Sequence, residues 1–425
     1  MTAPVPIPVS VPVLTGRVDA RVRPPGSKSE TIRALTAAAL ADGRSHLYGA
    51  LQADDPEAMV SALRALGIDV EDVGDPWTVD GGSGLLSTPE VTLDARESGL
   101  SARILLALAG SLDGVSRIVG RGRLPERPMK GIADALRSQG AEVSGDHLPI
   151  DVLGRGHLWG GRIEVDCAES SQFATAVMLV APIMHEPCLL ELRGLRGSAA
   201  YLEGTASVMR RFGAAIERTV TGYEIANDGY RASDVVIEPD ASAAVYPMAI
   251  AAITGGKVSV EGLGRTTWQP DVKVARVLEM MGCRVDLENA AIEVDGRGVE
   301  LEAVELDMSE APDGALALAV ACLFADRQSR ISGLGSLRHK ESDRLAVISG
   351  EITRIGGHAE VDDDSLTIGP GELRGAEIDP HGDHRIAMAM AMAGTRVPGL
   401  VVGDPGVVNK TWPGYWDMLK MLAGT

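Results

Sequence analysis

Lysine is scarce in this chain, seven residues in all, and three of them (Lys28, Lys340, Lys410) fall at recurring positions suited to holding an anion. Lys28-Ser29, Gly99 with Arg103, Ser170-Ser171-Gln172, Asp313 and His384-Arg385 stand at the expected starts of apolar, Ala-rich helices. A helix start presents free N–H groups and about half a positive charge, so it favours anions. Capping accounts for Ser29, Ser171 and Asp383. It does not account for Gln172, nor for Lys28 or Arg385, since a cation at a helix N-terminus is electrostatically unfavourable. Cations placed there make sense around a bound anion.

A second series marks the loops before later, amphipathic helices. It comprises Asp54-Asp55, Arg127, Ser198 with Tyr201, Gln269, Lys340-Glu341 with Arg344, and Lys410. Taken alone, Lys340-Glu341-Ser342-Asp343-Arg344 reads as a solvated helix face with paired charges. Its register within the series points instead to a site. The series joins cations, which suit phosphate and carboxylate, to carboxylates, which suit proton transfer.

The elements that must position these residues repeat about every seventy residues, a period that signals stacked supersecondary units. Ala-rich helices are expected at residues 31–40, 100–109, 172–181, 243–253, 314–325 and 384–393. Short β-like runs follow at 45–48, 117–119, 188–192, 257–260, 329–331 and 399–402. Each second helix ends on a similar phrase, such as Ala65-Leu66-Gly67, Ser138-Gln139-Gly140 and Arg354-Ile355-Gly356. Glycine suits the left-handed residue just past a helix end. The β-like runs after these glycines (68–70, 141–143, 284–285) are expected to open the next unit. Six α/β units suggest two domains of three, with hinges at Pro24-Pro25 and Glu238-Pro239-Asp240, where proline restricts the backbone.

Composition sets the outer limits. The chain has 425 residues, 45% hydrophobic and 23% charged, which is ordinary for a globular protein of more than one domain. A net charge of −19 disfavours nucleic acid and anionic membrane surfaces, and aromatics at 3% leave little for base stacking. A small anionic substrate then needs a local basic cluster. Cys167, Cys188, Cys283 and Cys322 lie far apart, so neither zinc nor a disulfide framework is indicated and a reducing compartment fits. The proline-broken N-terminal stretch is not a secretory signal, and apolar runs such as 315–325 are too short to span a bilayer. A cytoplasmic location is the expectation.

Competing motifs fail. Pro25-Gly26-Ser27-Lys28-Ser29 ends like a phosphate loop but lacks the upstream glycine spacing, and Gly154-Arg155-Gly156 lacks the remaining dinucleotide-binding glycine. His381-Gly382-Asp383-His384 has no partner cluster for a metal. No metal or cofactor is expected.

Pro25-Gly26-Ser27-Lys28-Ser29 with Arg33-Ala34-Leu35 resembles the opening signature of the 5-enolpyruvylshikimate-3-phosphate synthase family. Ser170-Ser171-Gln172-Phe173, Pro312-Asp313, Lys340-Glu341-Ser342-Asp343-Arg344-Leu345, Asp383-His384-Arg385 and Lys410-Thr411 look like its other signatures, in order. The resemblance covers essentially the whole chain. It implies the two-domain enolpyruvyl transferase fold of the α/β (α+β) class. Each domain would hold three pseudo-symmetric β/α repeat units in an inside-out α/β barrel, closing like jaws over the substrates. It also implies that one domain is discontinuous, residues 1–24 with 240–425, the other being 25–239.

The activity implied is transfer of the enolpyruvyl group of phosphoenolpyruvate to the 5-hydroxyl of shikimate 3-phosphate, releasing phosphate. By the same match Ser170, Ser171 and Ser198 would bind the shikimate phosphate. Lys28, Ser29, Arg33, Gln172, Tyr201, Asp313 and Lys340 would complete that site. Arg127, Lys28 and Lys410 would hold the phosphate of phosphoenolpyruvate, and Arg344 and Arg385 its carboxylate. Gln172 would bridge both substrates, with Gly99, Glu341 and His384 also at phosphoenolpyruvate. The expected partners are these two small molecules, and the expected state is a monomer.

Addition followed by elimination needs a group to take the hydroxyl proton and one to give a proton to the methylene carbon and remove it again. Asp313 is the expected base and Glu341 the expected donor, with Lys28 as a relay. Arginine neighbours would depress Lys28, and a dry cleft would raise Glu341. The chain departs from the family pattern at Glu97-Ser98-Gly99-Leu100, where Leu100 lacks the usual hydroxyl, and at Ser336, where asparagine is common. The nearest rival, the transferase acting on UDP-N-acetylglucosamine, carries a loop cysteine. Residues 117–127 contain none. A non-catalytic phosphometabolite-binding protein and an RNA-end-processing enzyme with related repeats are the rivals of other classes.

Overall fold

The computed structural model describes residues 6–15, 18–195, 197 and 199–424. Among them twelve α-helices alternate between two kinds. In chain order they are α1 (Lys28–Leu40), α2 (Asp54–Ala65), α3 (Gly99–Gly110), α4 (Lys130–Ser138), α5 (Gln172–Val180) and α6 (Ala199–Arg211), then α7 (Ala241–Thr254), α8 (Lys273–Met280), α9 (Ala315–Cys322), α10 (Arg344–Arg354), α11 (His384–Gly394) and α12 (Tyr415–Ala423).

The odd-numbered helices are buried almost throughout, including Ala-Leu-Ala-Leu-Ala-Val-Ala-Cys in α9 and the alternating Ala and Met of α11. Short side chains let such helices approach closely at interior packing density. α1, α3 and α5 pack on one another, and so do α7, α9 and α11. The even-numbered helices bury only one face, as their mixed sequences require.

The chain divides into two compact units, Met1–Pro25 with Pro239–Thr425, and Gly26–Glu238. Each holds three small sheets with one recurring order. In the second sheet of the Gly26–Glu238 unit, Leu93–Asp94 pairs parallel with Asp113–Val119. That strand pairs antiparallel with Ile150–Arg155, which pairs antiparallel with Glu142–Val143. In the other unit Asp19–Val22 lies parallel to Lys257–Glu261, and Val9–Ser10 pairs antiparallel with Val401–Val402. Strands from the start of the chain therefore complete sheets built near its end.

Two expectations are corrected. The runs after the helix-ending glycines do not open the next unit. Asp69–Glu71, Glu142–Val143 and Arg284–Leu287 each fold back on the following strand and close the sheet of their own unit. The reversals lie in the loops that follow these strands, residues 72–76, 144–149 and 288–290; Gly67 and Gly140, with φ of 87° and 91°, only turn the chain out of the preceding helices. The cap of α1 is also not Ser29 but Ser27, whose extended backbone (φ −63°, ψ 118°) lets its hydroxyl accept from Glu30 N–H. Ser171 precedes α5 without capping it; Ser170 Oγ accepts from Gln172 N–H at 3.2 Å. Asp383 does cap α11.

Candidate functional site

In the Gly26–Glu238 unit the candidates lie at the starts of α1, α3, α5 and α6, with Arg127 just before α4. Lys28 opens α1, and its Nζ stands 3.1 Å from Asp55 Oδ2. An acidic partner thus occupies the place where arginines were expected. Asp54 and Asp55 themselves lie in the first turn of α2 rather than in a loop. Arg33 is buried among neutral acceptors. Its Nη1 donates to the Ser29 carbonyl at 2.8 Å, its Nε to Thr205 Oγ1 at 2.8 Å and its Nη2 to Thr175 Oγ1 at 3.4 Å. These bonds tie α1 to α5 and α6, where the Tyr201 carbonyl accepts from the same Thr205 hydroxyl. Burial lowers the Arg33 pKa to about 10. Ser198 lies outside the described residues.

Gln172 opens α5 and accepts from Arg103 Nη1 at 2.7 Å. Arg103, buried in α3, also donates to the carbonyls of Gly99 and Pro128 and lies 5.0 Å from the centre of the Phe173 ring. Gly99 is a packing platform: a Cβ there would sit 2.7 Å from Arg127 Nη1 and 2.8 Å from Arg103 Nη1. Two guanidinium groups therefore flank one bare backbone position. Arg127 is 9% exposed, and its Nε has no hydrogen-bond partner among the described residues. No ion pair engages it among those residues either. A buried charge is costly without a partner, so the chemistry of this arrangement suits a bound anion. Leu100 is buried in α3, and Glu97 packs on Gly122, where a Cβ would lie 2.9 Å from Glu97 Oε1.

In the other unit seven candidates converge. Asp313 lies in a 3₁₀ turn at Pro312–Gly314, before α9. Its Oδ1 is 2.7 Å from Arg344 Nη1 and 3.8 Å from Lys340 Nζ, and its Oδ2 is 3.2 Å from Arg385 Nη2. Glu341 Oε2 is 2.9 Å from Arg344 Nη2, and its Oε1 is 3.7 Å from Lys410 Nζ. His384, buried, places Nδ1 3.7 Å from Asp383 Oδ1. Ser336 lies in the 3₁₀ turn Gly335–His339 that precedes Lys340.

The electrostatics follow from this crowding. Burial pushes the Asp313 carboxyl up, but Arg385, Lys340 and Arg344 outweigh it and hold the group well below the usual carboxylate range. Asp313 is therefore a weak base while those cations remain on it. Asp271, in the 3₁₀ turn Pro270–Val272, behaves oppositely. It is fully buried, accepts from Ser242 Oγ at 2.8 Å, and is pushed up by burial and by the Asp313 charge against the pull of Arg385. Sequence reading missed Asp271. Its neighbour Gln269 in the second series was the one signal available. It also took Asp383 for a cap alone, whereas that carboxylate pairs with Arg344. No group of three or more His, Cys, Asp or Glu side chains that could hold a metal occurs among the described residues.

A family model described as EPSP synthase (3-phosphoshikimate 1-carboxyvinyltransferase) matches residues 14–419. The chain belongs to the EPSP synthase family. A relative named 3-phosphoshikimate 1-carboxyvinyltransferase from Methanoculleus marisnigri is 40% identical over 414 residues, covering 95% of this chain and 97% of its own. One of the same name from Photobacterium profundum is 36% identical over 418 residues, covering 96% and 97%. Among solved structures, EPSP synthase from Acinetobacter baumannii superposes with a TM-score of 0.81 at 26% identity, covering 97% of each chain. The enolpyruvyl transferase NikO from Streptomyces tendae shares the fold, with a TM-score of 0.77 at 18% identity, over 99% of this chain and 98% of its own. The EPSP synthase fold thus accounts for the two units and their repeated sheets. No helix among the described residues is long and apolar enough to cross a membrane.

Proposed function

We propose that this EPSP synthase runs the reaction of its family through the two sets of side chains described above. The reaction transfers the enolpyruvyl group of phosphoenolpyruvate to the 5-hydroxyl of shikimate 3-phosphate, in the shikimate pathway to chorismate and the aromatic amino acids. Lys28, Ser29, Arg33, Ser170, Ser171, Gln172, Ser198, Tyr201, Asp313 and Lys340 bind shikimate 3-phosphate. Arg127, Lys28 and Lys410 take the phosphate of phosphoenolpyruvate and Arg344 and Arg385 its carboxylate, with Gly99, Gln172, Glu341 and His384 beside it.

In the addition step the hydroxyl oxygen bonds to C2 of phosphoenolpyruvate and its proton passes to Asp313. C3 takes a proton from Glu341 and becomes a methyl group. In the elimination step the C2–O bond to phosphate breaks, the departing phosphate takes up the proton that Asp313 received, and the methyl group returns a proton to Glu341, leaving the vinyl ether with both carboxylates restored. Lys28 relays protons at the hydroxyl. Asp313 becomes an adequate base once the substrate carboxylate competes for Arg344 and Arg385, because withdrawing those cations removes what holds its proton affinity down.

The observation that carries this reading is the buried Arg127 guanidinium beside Arg103 and Gly99, with no partner among the described residues. The reading extends to a cytoplasmic monomer acting on small molecules alone, without metal, cofactor, membrane or nucleic acid. Four free, buried cysteines and the net charge of −19 support that part. The test is phosphate release from phosphoenolpyruvate with shikimate 3-phosphate, shikimate and UDP-N-acetylglucosamine compared side by side, before and after exhaustive chelation. Release with shikimate 3-phosphate only, unaffected by chelation, is expected. Preference for either other acceptor, or a loss restored by a divalent ion, overturns the corresponding part.

A further inference from the structure

Arg344 is 1% exposed and engages three carboxylates, which differ in kind. Asp383 takes the inner edge of the guanidinium: its Oδ2 is 2.7 Å from Nε and its Oδ1 3.2 Å from Nη2. Asp383 is itself fully buried and fixed by two more donors, Ser342 Oγ to Oδ2 at 3.0 Å and the Arg385 N–H to Oδ1 at 2.9 Å. Asp313 and Glu341 take the outer fork, one at Nη1 and one at Nη2, with a single Arg344 contact each. Their side chains keep 17% and 10% exposure. A planar guanidinium can offer one edge to a permanent counter-ion and the other fork to an incoming carboxylate in bidentate fashion.

We propose that Asp383 is a positioning residue for the carboxylate of phosphoenolpyruvate. It clamps Arg344 by the Nε edge, while Asp313 and Glu341 are exchangeable carboxylates that the substrate displaces from the outer fork. The inference rests on the reading of Arg344 as the carboxylate-binding arginine. Because the backbone N–H of Arg385 donates to the same carboxylate, Asp383 also sets where the second carboxylate-binding arginine leaves its helix. One buried group thereby fixes both.

The test uses Asp383→Asn, which keeps the shape and one acceptor oxygen but removes the charge, and Asp383→Glu and Ser342→Ala as graded variants. The expected result for Asp383→Asn is a KM for phosphoenolpyruvate raised about 10-fold or more, with KM for shikimate 3-phosphate within about 2-fold of wild type. Ser342→Ala should raise the first KM by about 2- to 5-fold with an unchanged melting temperature, and Asp383→Glu should recover part of the loss. A structural role alone would lower the melting temperature and move both KM values together, and that result overturns the proposal. Turnover is not needed for the second readout. In the unliganded wild-type protein the Nε–H resonance of Arg344, assigned by its absence in Arg344→Lys, should exchange slowly with water. Fast exchange there overturns the clamp whatever the activity, whereas an inactive wild type with a slow Nε–H overturns only the assignment of the reaction.

Discussion

Arg127→Met should raise the thermal stability of the free protein while it damages substrate binding. The native guanidinium is 9% exposed and unpaired among the described residues, with the Arg103 guanidinium against the same Cβ position of Gly99. Like charges about 5 Å apart repel by about 3 kcal/mol at an effective dielectric of about 20. Replacing a buried charge by an apolar side chain of similar length has gained about 1–4 kcal/mol even where the charge was paired. Lost packing and hydrogen bonding to water reduce this, so about 1–3 kcal/mol remains. At roughly 2–4 °C per kcal/mol for a domain of this size, the melting temperature should rise by about 2–12 °C. Binding moves the other way. A hydrogen bond to a charged group is worth about 1.5–3 kcal/mol, so KM for phosphoenolpyruvate should rise by about 10- to 100-fold. Differential scanning calorimetry with and without phosphoenolpyruvate reads both effects, since ligand-induced stabilisation depends on affinity. A variant that melts below wild type, or one that still gains stability from the substrate at the same concentration, would refute the view of Arg127 as a receptor kept empty for an anion.

The remaining predictions follow from single contacts. Gly99→Ala should fold, because the crowded atoms are ends of flexible side chains 2.7–2.8 Å from the new Cβ. It should nevertheless raise KM for phosphoenolpyruvate by about 10-fold or more by pushing Arg127 aside, with unchanged KM as the refuting result. Asp313→Asn and Glu341→Gln should each lower kcat by about 100-fold or more while changing KM for either substrate far less, and unchanged kcat in either removes that residue from the proton transfers. Asp313 also contributes stability, since a carboxyl held low in the folded state stabilises above its unfolded value and loses that contribution only as pH falls below about 4. Asp313→Asn should therefore melt lower at pH 7 than wild type, by a margin that narrows below about pH 4. For Asp271 the sign reverses: a carboxyl held high costs stability above its folded value, so Asp271→Asn should gain stability at pH 7 and less near pH 4. Equal shifts at both pH values would show that Asp271 acts through packing alone.

What sequence could reveal here was the set of elements that close on themselves. The Ala-rich runs began within a few residues of the observed odd-numbered helices, because burial of a whole helix leaves no polar face to confuse its ends. Cations at those starts were visible because they violate helix electrostatics. The pairing of strands was less legible. Nothing in Asp69–Glu71 or Glu142–Val143 says whether a short run pairs forward or backward, since that depends on how the loop after it turns the chain. Caps split the same way: Ser27 and Ser29 are equally good residues, and only backbone conformation decides for Ser27. Counter-ions were the least legible part. Asp55 and Asp383 reach their cations through contacts far apart in sequence, and Asp271 takes a hydrogen bond from the distant Ser242.

Those counter-ions explain how a chain of net charge −19 keeps a basic site without a bound ligand. The two units handle the same problem differently. Around Arg344 the cations are matched by carboxylates, and on the proposed reading binding would exchange one carboxylate for another. Exchange weakens affinity for any anion that merely neutralises charge, because the internal carboxylates must first be displaced. It also couples binding to chemistry. The carboxylates that would be released from Arg344 are the two proposed to move protons, and Asp313 would gain proton affinity as its cations turn to the substrate. Around Arg127 there is no such matching among the described residues, and on the proposed reading the cost of a buried charge is offset only when an anion binds. A simple anion such as sulfate should accordingly protect the Arg127 site from heat far better than it competes at Arg344. In the presence of saturating sulfate, Arg127→Met should therefore lose most of the added stabilisation, whereas Arg344→Lys should retain it. Equal losses in the two variants would mean that both sites bind anions by charge alone, and the coupling between displacement and proton transfer would then have no physical basis.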